Sequence, residues 1–163
     1  RGILYGSVRW QFEGQEIFKR AVHGMGVASE SALGKIGLKA DNVDLVIPHQ
    51  ANLRIIEAVA KRTRVPMERV YVNIQRYGNM SAATVPVALC EALEEGRVKP
   101  GSLLLMPGFG GGLTYCAHVV RWGERTKPLG ESDVQLPPVE RSALQILRDL
   151  LAVKTVLTNA EPS

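Results

Sequence analysis

Three short stretches carry the residues of this chain that could do chemistry. His49 follows a mostly apolar run, residues 43–47, and a proline, and a helical pattern begins about three residues after it. Asn79 comes thirty residues later, and a glycine-rich loop at residues 108–112 comes about thirty residues after that. Because ligands and catalytic groups gather at the carboxyl ends of strands in α/β proteins, the three stretches could form one site.

The histidine and the asparagine have side chains suited to stabilising a negatively charged oxygen. An imidazole at position 49 can donate a hydrogen bond to a developing oxyanion or move a proton near neutral pH. The amide of Asn79 could donate to the same oxygen, and two donors on one oxygen stabilise an enolate. The alternatives are a structural histidine and an asparagine that serves as a turn residue or helix cap.

The glycine-rich loop does not fit a phosphate-binding loop. It lacks the G-x-x-x-x-G-K-[ST] pattern and leads into a predicted strand rather than into a helix. It is either a tight hairpin or a place where a backbone N–H approaches a reacting carbonyl, which residues without side chains permit.

Three predicted helices must position these stretches. Apolar residues at three- and four-residue spacing predict one helix from Gln15 to about Ile36 and a second over residues 52–62, with Asn52 as its N-cap. A third helix is predicted from Ser81, as its cap, through Glu95. Apolar residues almost encircle this third helix, so we expect it to be buried.

Short apolar or alternating runs between the helices predict strands. They lie at residues 3–10, 43–47, 70–74, 102–107 and 114–122, and the last two are expected to be antiparallel because the connection between them is short. This order of elements predicts an α/β domain with a mixed sheet flanked by helices.

The composition changes after Gly123. A linker rich in proline and glycine is followed by an amphipathic helix at about residues 139–152. The sequence therefore predicts a domain over residues 1–123 and a linker with a helical tail over residues 124–163.

Charge and composition narrow the class of protein. The net charge is +4, and residues from Glu124 onward hold five Lys/Arg and six Asp/Glu, so residues 1–123 carry +5. That excess favours an acidic partner. Nucleic acid is weakly supported because aromatic residues make up 6% of the chain, and no apolar run is long enough for a membrane span. Cys90 and Cys116 are expected in the core of a reduced, cytoplasmic protein.

Several motifs together resemble the C-terminal half of β-ketoacyl-acyl-carrier-protein synthase III. They are PHQANLR at residues 48–54, GN at 78–79 followed by SAA and VP, FGGG at 109–112, and GQEIFK at 14–19. They occur in consistent order over about residues 12–122.

The resemblance implies a thiolase-like fold and a decarboxylative condensation. In that family a cysteine on the N-terminal half takes an acyl group from acyl-CoA, and a histidine and an asparagine promote decarboxylation of malonyl-acyl-carrier protein. Carried over by motif, His49 and Asn79 are that pair and Gly111 supplies an oxyanion-hole N–H. Asn52 and Phe109 would contact the substrate or its pantetheine arm. The implied carrier-protein docking surface consists of Gln50, Arg54, Lys19, Lys61 and Arg62.

The resemblance also implies the substrates and partners. Acyl-CoA and malonyl-acyl-carrier protein are substrates, with no tightly bound cofactor and no metal. The partners would be acyl carrier protein and a second copy in a homodimer, with neither nucleic acid nor a membrane.

Neither cysteine stands in the family's nucleophile context, so a cysteine-bearing N-terminal half is needed on the same or another chain. Met80 replaces a residue that is often threonine in the family. The alternatives are a specialised polyketide or secondary-metabolite condensing enzyme, and a non-catalytic module that binds carrier protein or CoA.

Overall fold

The computed structural model describes residues 13–130, 132–135 and 138–158, with side chains described as far as residue 152. The strand predicted at residues 3–10 lies outside this part. Contacts place residues 13–129 in one compact unit and the residues from Gly130 in another. The division predicted at Gly123 stays a prediction, and the contacts change six residues later.

A three-stranded mixed sheet forms the middle of the first unit. Its strands are β1 (Leu45–Val46), β2 (Leu103–Gly110) and β3 (Thr114–Arg121), in the order β1-β2-β3. β1 is parallel to β2, with Leu45 opposite Leu104, and β2 is antiparallel to β3. The predicted mixed sheet and the antiparallel pair are therefore confirmed.

Helices cover both faces of this sheet. On one face lie α1 (Gly14–Gly34) and α2 (Leu53–Thr63), whose buried residues join Leu103 and Leu105 of β2 or pack against each other. On the other face α4 (Thr84–Glu94) packs Ala88 and Ala92 against Leu104. Side chains alternate between the faces of a strand, so β2 contributes to both cores.

Local signals in the sequence account for α2. The side chain of Asn52 accepts a hydrogen bond from the backbone N–H of Arg54 at 2.9 Å, as predicted for an N-cap. Arg64 ends the helix in the left-handed conformation, with φ of 58°. The helix therefore starts at the polar stretch that carries His49, and its first turn faces the same edge of the sheet.

Two predicted elements are wrong in their bounds. Residues 70–74 make only one parallel bridge, between Val46 and Val70, and Ile74 already begins the short helix α3 (Ile74–Tyr77). Ser81 does not cap the following helix through its side chain. It has φ of 55° and opens a 3₁₀ turn, so that α4 begins three residues later, at Thr84.

The expected burial of α4 and of both cysteines is also wrong for this chain. One side of α4 is exposed at Pro86 and Cys90, while Ala88 and Ala92 on the other side are buried. Cys116 is exposed on β3. Only one side of α4 packs against the sheet. A helix with apolar residues nearly all round therefore leaves some of them open to solvent.

The second unit contains the tail helix α5 (Ala143–Thr158). It starts later and extends further than the predicted bounds. Its side chains are exposed at every described position, including Leu144, Leu147 and Leu150. In the part of the chain that the structure describes, no helix is long and apolar enough to cross a membrane.

Candidate active site

His49 lies where the parallel pairing of β1 with β2 ends. The pairing continues past β1, because the backbone N–H of Ile47 donates to Leu105 and that of His49 donates to the carbonyl of Pro107, each at 2.9 Å. The imidazole meets the ring of Phe109 edge to face, with 5.4 Å between ring centroids. The predicted position at a strand end is therefore confirmed, and Phe109 forms one wall of the site.

A residue that the sequence did not single out holds the imidazole from the other side. Oγ1 of Thr84, the first residue of α4, lies 2.5 Å from Nδ1 of His49. Thr84 is fully buried, and its hydroxyl also donates to the carbonyl oxygen of Ser81 at 3.0 Å. Desolvation by burial holds the pKa of His49 below its usual value of 6.5, so the neutral imidazole is favoured.

Asn79 is tied to the same residue, Ser81. Its side-chain Oδ1 accepts a hydrogen bond from the backbone N–H of Ser81 at 2.9 Å. Because Oδ1 accepts this bond, Nδ2 and its two N–H donors point away from the backbone N–H of Ser81. The backbone of Ser81 thus contacts Asn79 through its N–H and Thr84 through its carbonyl.

A buried hydrogen-bonded chain connects the loops that carry the histidine and the asparagine. The side chain of Gln50 donates to the carbonyls of Pro48 and Tyr71, and its oxygen accepts from the backbone N–H of Asn73. Asn73 in turn donates from Nδ2 to Glu91 at 2.8 Å. The loop after β1 is therefore bonded, through Asn73, to the helix α4.

The carboxylate of Glu91 gathers the segment that precedes Asn79. It accepts hydrogen bonds from Tyr77 at 2.6 Å and from Arg76 at 3.1 Å, in addition to that from Asn73. The hydrogen bonds from Tyr77 and Asn73, followed by the charge and hydrogen bond of Arg76, hold the pKa of Glu91 below its ordinary value. Glu91 therefore fixes α3, and with it the start of the Asn79 loop, against α4.

The structure excludes Gln50 from the docking surface predicted for it. The residue has 0% exposure, and both ends of its amide bond the backbone. A side chain in this position cannot touch a partner protein without breaking those bonds. The amide of Gln50, to which the resemblance gave a docking role, bonds the backbone of the loop instead.

The loop within the glycine-rich stretch is shorter than predicted. Gly108 and Gly110 belong to β2 and pair with Cys116 and Thr114, so the turn is confined to residues 111–113. Gly111 is exposed at the start of this turn, two residues beyond Phe109, and its carbonyl accepts a hydrogen bond from Thr114 at 3.3 Å. The oxyanion role of its N–H stays a prediction.

The remaining predicted docking residues lie on α1 and α2, which pack against each other. Lys19, Arg54, Lys61 and Arg62 are all exposed. The side chain of Arg62 crosses α1 where Gly26 leaves room for it, since any Cβ there would clash with the guanidinium stem. Arg62 therefore also has a packing role between the two helices. Asn52, which is exposed, uses its side-chain oxygen for the cap.

Comparison with known proteins supplies the family. The model described as 3-oxoacyl-[acyl-carrier-protein (ACP)] synthase III C terminal matches residues 33–122, which is more than half of the chain. The chain belongs to this family. The match contains the loops of His49 and Asn79, β2 and β3.

A curated relative extends the similarity along the chain. Beta-ketoacyl-[acyl-carrier-protein] synthase III 2 of Vibrio cholerae is 54% identical over 142 residues, which are 87% of this chain and 39% of that protein. A match of 142 residues must reach residue 142 or beyond, so this relative shares much of the linker after Gly123. The chain spans less than two fifths of the length of the curated relatives described by this match and its neighbours.

Solved structures of the synthase III family confirm the predicted thiolase-like α/β fold. The crystal structure of 3-oxoacyl-[acyl-carrier-protein] synthase III from Aquifex aeolicus has 52% identity and a TM-score of 0.68 over 69% of this chain and 36% of that one. The priming β-ketosynthase of the R1128 polyketide pathway has 35% identity and a TM-score of 0.64 over 70% and 34%.

Proposed function

We propose that this chain is the C-terminal half of a β-ketoacyl-acyl-carrier-protein synthase that joins an acyl-CoA primer to malonyl-acyl-carrier protein. The product is a 3-oxoacyl-carrier protein, and the reaction starts fatty acid synthesis. The observation that carries this proposal is the pair His49 and Asn79 on adjacent loops, both oriented through Ser81, in a member of the synthase III family.

The pair acts on the thioester of the malonyl group. When the malonyl carboxylate leaves as carbon dioxide, the electrons of the broken C–C bond move into the thioester carbonyl and form an enolate. The amide N–H of Asn79 and the imidazole of His49, in its protonated form, donate to that oxygen. The enolate carbon then attacks the acyl-cysteine, and the cysteine thiolate leaves.

The nucleophilic cysteine comes from an N-terminal half in this proposal. Cys90 and Cys116 lie on α4 and β3, outside the loops that hold the candidate site. The exposed side of α4, with Pro86 and Cys90, is where the missing half would cover this chain. Covering it would complete the burial that the sequence of α4 predicts.

Acyl carrier protein is the proposed macromolecular partner. The exposed cations Lys19, Arg54 and Lys61 lie on α1 and on α2, the helix that follows the His49 loop, and residues 1–123 carry a net charge of +5. Complementary charge guides an acidic partner to the site and raises its rate of association. Asn52 and Phe109 are the proposed contacts of the pantetheine arm. The substrates are bound transiently, and the proposal includes no tightly bound cofactor.

In this proposal the protein is a cytoplasmic homodimer.

A polyketide-priming condensing enzyme is the second candidate, favoured by the likeness to the R1128 priming β-ketosynthase. A non-catalytic binding module is the third, and the fixed amide of Asn79 argues against it because simple binding does not need a donor held in that way.

Reconstitution tests the proposal. The chain is combined with the N-terminal half of the Vibrio cholerae relative, and acyl transfer from radiolabelled acetyl-CoA and decarboxylation of malonyl-acyl-carrier protein are measured. We expect both activities only in the mixture, and a loss of decarboxylation by about a hundredfold with His49→Ala or Asn79→Ala. Labelling of Cys90 or Cys116 in the chain alone, or full decarboxylation by both variants, would refute it.

A further inference from the structure

The hydroxyl of Thr84 has two close polar neighbours and only one proton to give. Nδ1 of His49 lies 2.5 Å from Oγ1, and the carbonyl oxygen of Ser81 lies 3.0 Å from it. A carbonyl oxygen can only accept a hydrogen bond, whereas a ring nitrogen can donate or accept, depending on where the imidazole carries its proton.

Only one arrangement of protons satisfies both contacts. If the hydroxyl donated to Nδ1, its oxygen would face the carbonyl of Ser81 with no proton between two electron-rich atoms. If Nδ1–H donates to Oγ1 and the hydroxyl donates to Ser81, each short contact is a hydrogen bond. Thr84 is fully buried, so water does not supply a substitute partner at this contact.

We infer that Thr84 is a positioning residue that keeps the proton of neutral His49 on Nδ1, so that Nε2 is the nitrogen that gains and loses a proton. The same contact sets the orientation of the ring, because a half turn about the Cβ–Cγ bond would place a C–H group against the hydroxyl. Phe109 packs edge to face on the imidazole and limits other orientations.

The surroundings of His49 favour the neutral imidazole, which is the form whose proton is assigned to Nδ1. Burial lowers the pKa, and among the described residues no charged side chain contributes to that shift. Two groups that contact the ring are the hydroxyl of Thr84 and the ring of Phe109, neither of which is charged. His49 therefore presents an unprotonated Nε2 until a substrate changes its environment.

For catalysis this inference rests on the proposed function. Nε2 can take the proton of the partner half's cysteine thiol while the thiolate attacks the acyl-CoA, and it can return that proton to the departing CoA thiolate. When the malonyl group enters, its carboxylate favours the protonated imidazole. Nε2–H can then donate to the thioester oxygen beside the amide of Asn79, whose orientation also depends on Ser81.

The tautomer can be measured on the chain alone by NMR. Long-range proton–nitrogen correlations of chain labelled with nitrogen-15 distinguish a protonated ring nitrogen from an unprotonated one. Above the pKa we expect Nδ1 of His49 to be protonated and Nε2 to be unprotonated. In Thr84→Val, which keeps the shape and removes the hydroxyl, the Nε2 signal should move toward the protonated range. Thr84→Ser should restore the original signals.

Two histidines and the reconstituted enzyme serve as controls. The signals of His23 and His118, both exposed, should stay the same in all three proteins. After reconstitution, Thr84→Val should lower kcat by about tenfold with little change in KM, and Thr84→Ser should retain activity within about twofold.

The NMR result decides the inference independently of the enzyme assay. A protonated Nε2 in the original chain would overturn it even if Thr84→Val failed to fold. Unchanged His49 signals in a folded Thr84→Val chain would overturn it as well. Failure of reconstitution with the expected tautomer would refute the proposed function and leave the proton assignment standing.

Discussion

Nδ1 of His49 and Oγ1 of Thr84 lie 2.5 Å apart although thirty-five residues separate them in the sequence. The contact joins the end of β1 to the start of α4, two elements on either side of the Asn79 loop. Ser81 extends the connection, because its carbonyl accepts from Thr84 and its N–H donates to Asn79. The two proposed catalytic side chains are thus linked by one short hydrogen-bonded path.

The half-buried imidazole of His49 predicts a dependence of stability on pH. The pKa of His49 is lower in the folded chain than its value of about 6.5 in the unfolded chain. The unfolded chain therefore binds more protons as the pH falls through 6.5 toward the folded pKa, and stability should decrease in that window. Melting temperatures at pH 7.5 and 5.5 measure the effect, and His49→Gln should reduce the difference between them.

Glu91 and Glu16 do not interfere in that window. The pKa values of Glu91 and Glu16 lie below 4.5, so their contribution to stability is lost only at more acidic pH. Equal pH dependence in the original chain and in His49→Gln would contradict a half-buried histidine with a lowered pKa.

The sequence predicted the elements and the candidate pair but not how the pair is held. The 3.6-residue period located α1 and α2, and Asn52 marked the start of α2, because these signals are local. The contacts of Thr84 and Glu91 could not be predicted, because each joins residues distant in sequence through a tertiary fold. Residues 70–74 were mistaken for a strand, since an alternating pattern does not show that only Val70 finds a partner strand.

The burial of Gln50 and the exposure of the two cysteines could not be predicted from the sequence either. The resemblance implied a docking role for Gln50, yet its amide bonds the backbone in the interior. Apolar surroundings suggested buried cysteines, yet both lie on faces that no described residue covers. Burial depends on which elements pack against a position, and composition alone does not specify them.

Glu91 should control the mobility of the Asn79 loop. Glu91→Ala removes the acceptor of Asn73, Arg76 and Tyr77 together, so hydrogen exchange should accelerate over residues 73–81. Decarboxylation after reconstitution should fall by about tenfold, because Asn79 loses its fixed position. Glu95→Ala is the matched control, since Glu95 follows α4 one turn after Glu91 and interacts with Arg76, at 3.7 Å, and with Tyr71. Equal exchange in both variants would show that Glu91 does not anchor the loop.

The exposed cations of α2 should determine the affinity for carrier protein. Arg54→Glu and Lys61→Glu should each raise the KM for malonyl-acyl-carrier protein by about three- to tenfold, with smaller effects at high salt. Arg148→Glu, an exposed change in the tail helix, serves as the charge-matched control. Arg62 is less suitable for this test because its stem packs across Gly26. If the control raises KM equally, net charge rather than a docking surface is responsible.

Gln50 should contribute to stability and leave partner binding unchanged. Gln50→Ala removes the partners of the carbonyls of Pro48 and Tyr71 and of the N–H of Asn73 in a buried position. Leaving such groups unpaired should lower the free energy of unfolding by about 3 kcal/mol, measured by urea denaturation. Gln75→Ala, at an exposed site, should change it little. A Gln50→Ala chain of unchanged stability that binds carrier protein more weakly would restore the docking role predicted from the sequence.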